Sequence, residues 1–331
     1  MRVLAGDIGG TKTALAIARI DARRLKIERT STYPSAAFAS LEDILAEFLE
    51  GERRTPAVAA FGVAGPVVRG RARITKLPWS PEERVIARTA GIPRVRLLND
   101  FVAASLGLPY LSARQLATVS RGRPDPGGPI AILGAGTGLG QAALWRAGGR
   151  AEPAPSEGGH ADFGPRNDRE DRLVRFVRAR FGRVDRDRLL SGGGLALIYE
   201  FLRNEGEAPE SSEVAAAMER EDPAAVIGRL GLAGSDPLCA RALGLFVEIY
   251  GSEAGNIALQ YRATGGVYVG GGIAARILPA LLTGAFRRAF LDKPPLEGLL
   301  ARIPLKVVKD RRLGLFGAAA AAYRTSIETT R

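Results

Sequence analysis

Twice in this chain of 331 residues a short apolar strand runs into a glycine turn and comes straight out again as a second strand. The first instance is Gly6-Asp7-Ile8-Gly9-Gly10-Thr11, preceded by Val3, Leu4 and Ala5 and followed by a β-rich run from Ala14 to Ile20. The second is Gly134-Ala135-Gly136-Thr137-Gly138-Leu139-Gly140, set between Ile130 to Leu133 and Ala142 to Trp145. Paired glycines let the backbone turn with positive φ and bring N–H groups close to phosphate oxygens. Asp7 adds a carboxylate suited to a hydrated Mg²⁺, and Thr11 adds a hydroxyl donor. One such loop is weak evidence. Two of them, with no Walker GxxxxGK[ST] motif, predict two half-domains gripping one nucleotide from opposite sides.

Length and composition bound the rest. A chain of this size can bury a large core and is expected to form two domains. Its 46% hydrophobic and 25% charged content is that of an ordinary soluble globular protein. No apolar run reaches the roughly 18 residues of a membrane span, and the N-terminus enters a strand without a basic, apolar leader, so a cytoplasmic protein with no membrane partner is expected. A single cysteine, Cys239, excludes an intramolecular disulfide and any multi-cysteine zinc site. The net charge of +12 raises the question of nucleic acid. Arginine supplies nearly all of it, and the densest region, Arg166 to Arg188, interleaves its arginines with Asp168, Glu170, Asp171, Asp185 and Asp187. That mixture reads as a solvated face, and no specific nucleic-acid partner is expected.

The first hundred residues read as β-β-β-α-β-β-α-β, with strands near 2–8, 13–20, 25–33, 57–63 and 95–98 and a helix over 40–50. Ser80-Pro81-Glu82-Glu83 predicts a helix start with a Ser cap, Pro at the first helical position and Glu three residues after the cap. Arg121 to Gly128 is a loop. Beyond the second glycine loop, helices are expected near 168–181, 193–204, 211–220 and 237–262, and strands at 266–269 and 305–308. A helix follows Gly270-Gly271-Gly272, and an alanine-rich helix closes the chain.

Asp100 stands at the end of the predicted strand Val95 to Leu98, where open α/β sheets place their ligands. A carboxylate there can take a proton from a hydroxyl attacking a γ-phosphoryl group; equally, it can simply cap the next helix. The one histidine, His160, lies in Ser156-Glu157-Gly158-Gly159-His160, where Glu157 and His160 flank two glycines and offer polar groups suited to vicinal sugar hydroxyls. One histidine among scattered acids lacks a closed metal-ligand set. The glycine runs 192–194 and 270–272 are either plain helix-start turns or places where a purine or ribose lies against bare backbone.

GDIGGT, LNDFVAASLG with Asn99 and Asp100, GAGTGLG, SEGGHADF, LSGGGL and VGGGI occur in the order and approximate spacing of the bacterial ATP-dependent glucokinases, which the chain resembles over nearly its whole length. The resemblance implies an α/β, two-domain actin-like ATPase (ribonuclease H-like) fold with an interdomain cleft, and phosphorylation of glucose at its 6-hydroxyl by MgATP. It implies Asp100 as general base and Asn99, Asp100, Glu157 and His160 as sugar ligands. Gly6 to Thr11 and the loop of Gly134, Gly136, Thr137 and Gly138 would hold the phosphates, with Asp7 near Mg²⁺ and Gly271 and Gly272 near the adenosine.

Two positions depart from the family pattern. Asp187 stands where a longer glutamate serves as a further sugar ligand, and Lys76 stands where asparagine is frequent. The domains expected are 1–110, completed by a C-terminal helix over 313–331, and 111–312; the assembly expected is a homodimer. Kinase activity on fructose, mannose or an N-acetylhexosamine, and a non-catalytic sugar-responsive regulator of the same fold, are the alternatives. The repressors of the related family carry an N-terminal helix-turn-helix, and many of its members a cysteine-rich zinc motif; this chain has neither.

Overall fold

The computed structural model describes residues 1–52, 54–74, 77–147 and 150–328; Lys76 lies outside them. Contacts divide the chain into two compact units, one of Met1–Ala113, Ala151–Pro155 and Asp310–Arg331, the other of Arg114–Arg150 and Ser156–Lys309.

In the first unit β1 (Arg2–Ile8), β2 (Lys12–Ile20) and β3 (Leu25–Pro34) form an antiparallel meander. Helix α1 (Leu41–Leu49) follows, capped by Ser40, whose side chain accepts the Asp43 N–H at 3.2 Å. Its buried residues Leu41, Ile44, Leu45 and Phe48 fall on one face at helical spacing. Strand β4 (Val58–Val63) is buried along its whole length and pairs in parallel with β1 and with β7 (Arg94–Asn99), giving the order β3-β2-β1-β4-β7. Between β4 and β7 lie the ribbon β5 (Val67–Val68) and β6 (Arg71–Ala72) and helix α2 (Glu83–Thr89). Helix α3 (Asp100–Gly107) and the C-terminal helix (Leu313–Glu328) complete the unit.

The helix expected to start at Ser80 begins instead at Glu83, with Glu82 at the cap position and no side-chain cap bond. The acids of the expected box are taken by tertiary partners: Glu82 pairs with Arg71 at 3.1 Å, and Glu83 accepts the Leu97 N–H at 2.8 Å.

In the second unit β8 (Leu116–Ser120), β9 (Ile130–Ala135), β10 (Leu139–Ala147), β12 (Gly266–Gly270) and β13 (Leu305–Val308) run in the order β10-β9-β12-β13-β8; β11 (Arg150–Ser156) has residues 151–155 in the first unit. β12 lies parallel to β9 and to β13. Helices α4 (Asp168–Phe181), α5 (Arg186–Leu189), α6 (Gly192–Asn204), α7 (Ser212–Arg220), α8 (Pro223–Ala233) and α9 (Pro237–Gln260) fall between β11 and β12.

The single helix expected after Gly272 is three: α10 (Gly271–Arg276), α11 (Leu278–Leu281) and α12 (Ala285–Leu291), followed by α13 (Glu297–Arg302). Pro279 in the first turn of α11 and Gly284, with φ 97°, enforce the breaks. Among the described residues no single helix is long and apolar enough to cross a membrane; α8 and α9 pass together on composition as a pair bent by 100°, and Leu238, Phe246, Val247, Ile257 and their apolar neighbours on α9 are buried in the core of this unit.

Candidate active site

The three parallel strands of the first unit end level, Ile8 beside Val63 and Val63 beside Asn99. Their carboxyl edge therefore carries Asp7, Asn99 and Asp100 together, the edge at which sheets of this kind offer loops and helix starts to a ligand. Asn99 is the cap of α3: its Oδ1 accepts the N–H of Phe101 at 3.0 Å and of Val102 at 3.2 Å. Asp100, half-buried, is the first residue inside the helix and accepts the Phe101 N–H at 2.9 Å. The capping role thus falls to Asn99, and the helix start holds Asp100 at the sheet edge. Glycine at position 62 permits this closeness, since a Cβ there would meet the Ala103 Cβ at 3.0 Å and the Asp100 Cα at 3.5 Å.

Asp7 sits one residue from the end of β1, against the bare backbone of the C-terminal helix, where a Cβ on Gly314 would come within 2.3 Å of its Oδ2. Burial raises its pKa from 3.8 to about 6, and among the described residues no cation offsets it. A desolvated carboxylate without a cationic partner fits the donor chemistry of a hydrated Mg²⁺. The turn that follows is tight: the Gly9 N–H donates to the Lys12 carbonyl at 2.9 Å. Ser35, buried after β3, pins it from outside, with its hydroxyl 3.0 Å from that of Thr13 and donating to the Gly9 carbonyl at 2.9 Å, while its N–H reaches the Thr11 carbonyl at 3.1 Å. Nothing in the local sequence around Ser35 marks this role.

The second unit repeats the device. The turn between β9 and β10 closes with the Gly136 N–H on the Gly138 carbonyl at 2.8 Å, and Gly192 at the start of α6 donates to the Gly136 carbonyl at 3.0 Å. Tyr250 of α9 reaches the base of the loop, its hydroxyl accepting the Ala135 N–H at 3.0 Å. Gly134 stands opposite Gly270 in the parallel pair β9–β12, so Gly271, with φ 86°, passes so close that a Cβ on it would lie 2.7 Å from the Ala135 carbonyl oxygen. The Gly134 to Gly138 loop and the Gly270 to Gly272 run are therefore neighbours.

Glu157 precedes a single 3-10 turn over Gly158–His160 and His160 ends it, both side chains exposed. Gly159 lets that turn press onto β10, where a Cβ would come within 2.1 Å of the Leu139 carbonyl oxygen. Asp187, in α5, is half-buried and accepts the Leu139 N–H at 2.6 Å, which ties it to the glycine loop instead of to the solvated charge run. His160, Asp185 and Asp187 have ligand atoms within 4.8 Å of one another, a closer gathering than the scattered acids of the sequence suggest. Thr137, Gly138 and Asp187 thus meet at one end of β10, with Glu157 and His160 on the turn packed beside it.

Beneath them lies a buried polar cluster. Glu253, 4% exposed on α9, accepts from the Gln141 amide at 2.6 Å, Arg186 at 3.1 Å and the Asn256 amide at 2.8 Å. Burial raises its pKa, with the Arg186 charge opposing. Contacts spanning 67 and 112 residues of sequence leave no local signal for it.

The architecture is that of the actin-like ATPase sugar kinases, with a strand–glycine-turn–strand device in each of two α/β units. It matches the crystal structure of a glucokinase from an Antarctic psychrotroph with a TM-score of 0.84 and 29% identity, covering 98% of this chain and 99% of that one. The chain belongs to the glucokinase family, whose model matches residues 4–325. The glucokinase of Nostoc sp. is 40% identical over 97% of this chain and 99% of its own length, and that of Chromobacterium violaceum 40% identical over 96% and 88%.

Proposed function

We propose that the chain is an ATP-dependent glucokinase that works in the cytoplasm with Mg²⁺ and with Asp100 as its general base. Family membership across residues 4–325 carries the activity; the position of Asp100 at the carboxyl edge of the sheet, just inside the helix that Asn99 caps, supports its role.

The carboxylate takes the proton of the glucose 6-hydroxyl as that oxygen attacks the γ-phosphorus in line. A bond forms between O6 and phosphorus, the bridging P–O bond to ADP breaks, and ADP leaves with the electron pair. Loop amides at Gly9 to Thr11 and at Gly136 to Gly138 bind the phosphates and offset charge spreading over the phosphoryl oxygens. Asp7 would hold Mg²⁺ through its water shell, and the ion supplies further charge neutralisation there. Asn99, Glu157, His160 and Asp187 hold the sugar, and the glycines at 271 and 272 lie against the adenosine. Residues 1–110 with the C-terminal helix, and 111–312, act as the two domains. The assembly is a homodimer, and a solution mass of one chain would contradict that.

Asp100→Asn should lower kcat by roughly 10²- to 10⁴-fold, the usual worth of a positioned base, while glucose still binds. A variant retaining more than about a tenth of wild-type kcat removes Asp100 from the base role.

A further inference from the structure

His160, the chain's only histidine, faces a carboxylate that its sequence neighbourhood places in a surface charge run: Nδ1 lies 3.2 Å from Asp185 Oδ2. The two side chains are unequally anchored, that of His160 being 61% exposed and that of Asp185 15%. Several contacts fix the acid. Its Oδ1 caps α5 by accepting the Arg188 N–H at 2.9 Å, the Arg186 N–H donates to the Ala161 carbonyl at 3.1 Å, and the Arg186 guanidinium pairs with buried Glu253 at 3.1 Å. From the same loop Arg183 donates to the His160 carbonyl at 2.8 Å, so ring and acid share one frame.

An ionised carboxylate can only accept a hydrogen bond. Contact with Asp185 therefore places the imidazole proton on Nδ1 and leaves the Nε2 lone pair bare, the way second-shell carboxylates set histidine tautomers elsewhere. A neutral imidazole with no partner in water favours the opposite tautomer.

We propose that Asp185 is a positioning residue for sugar recognition, fixing neutral His160 as the Nδ1–H tautomer so that Nε2 accepts a hydrogen bond from a sugar hydroxyl. This rests on the reading of His160 as a sugar ligand. Glu157, Asp187 and the His160 Nε2 are then all acceptors, matched to hydroxyls that donate. Replacing the contacted hydroxyl by fluorine, which cannot donate, should weaken binding as much as removing it.

The single histidine makes the tautomer directly observable. Protein labelled with [¹⁵N]histidine, held in EDTA so that no metal sets the ring, is read by long-range ¹H–¹⁵N correlation at a pH where titration shows the ring neutral. Wild type should carry its proton on Nδ1. In Asp185→Asn the one side-chain oxygen keeps the helix cap and the amide NH₂ turns to the ring, so the proton should move to Nε2. Glucose KM should rise about 5- to 50-fold, with kcat and the ATP KM within about twofold of wild type.

Asp185→Ser keeps a capping oxygen but cannot reach the ring, and should also lose the Nδ1–H tautomer. Nε2–H in the wild type, or an unchanged tautomer in both variants, overturns the proposal. His160→Ala separates the two readings: an unchanged glucose KM in that variant removes the sugar contact itself. A raised KM there, with a tautomer indifferent to Asp185, defeats the positioning role alone.

Discussion

Asp7 carries a charge that the fold strips of water and, among the described residues, leaves without a cation. Its pKa is higher folded, at about 6, than the 3.8 of the free group, so the unfolded chain releases this proton first as pH rises. Stability therefore falls between about pH 4 and pH 6, and the cost is present in full above that range. Asp7→Asn removes it. In chelator at pH 7 the variant should be more stable than wild type by about 2 to 3 kcal/mol, a gain that vanishes by about pH 4, while turnover with Mg²⁺ collapses. Equal unfolding free energies at pH 7 would show that the carboxylate is not desolvated.

At this scale the sequence was legible where chemistry is local. Asp7 and the Asn99-Asp100 pair sit in short motifs at strand ends, and both members of the pair accept N–H groups at the start of α3, Asn99 from Phe101 and Val102 and Asp100 from Phe101. The contacts of Ser35 and Asp185 were not legible, because their partners lie 26 and 25 residues away and only folding brings them close.

The element that holds Asp100 is α3, and its placement depends on a crossing with the C-terminal helix at bare backbone. A Cβ on Gly317 would sit 1.9 Å from the Ala103 carbonyl oxygen, and one on Gly107 would sit 2.7 Å from the Gly317 nitrogen. Gly317→Ala gains helix propensity in an isolated helix, yet here it must push two helices apart. Thermal or urea unfolding should show a loss of at least about 1 to 3 kcal/mol, with kcat reduced more than the ATP KM is raised. A stabilised or unchanged variant would mean the helices do not approach as described.

The helices expected over 40–50 and near 168–181 are found as α1 and α4, where the side chains of Ser40 and Asn167 cap their first turns. The start at Ser80 misled because a capping box competes with tertiary hydrogen bonds, and here Glu82 and Glu83 found partners on β6 and β7. Strand β8 carries little periodic signal, since it sits at a sheet edge with partly exposed residues on both faces.

At the scale of the whole molecule the excess of arginine looks like a nucleic-acid signal, and in the densest basic stretch most of it is held in ion pairs. Arg166 pairs with Glu170, Arg172 with Glu205 at 2.6 Å, Arg180 with Glu200 at 2.7 Å and Arg183 with Asp162 at 2.9 Å, all within or beside the densest basic stretch. Exposed pairs of this kind add little stability, and they intersperse negative charge along the stretch. Six motifs in order identify the family from sequence alone, whereas no motif reads out the sugar preference, and the departing Asp187 carboxylate accepts the Leu139 N–H. The central claim is tested most directly by coupled ADP release across glucose, fructose, mannose and N-acetylglucosamine, with the product identified by NMR. Glucose should give the highest kcat/KM and yield glucose 6-phosphate. ADP release that does not depend on glucose, or a higher kcat/KM for another of these sugars, would contradict the account.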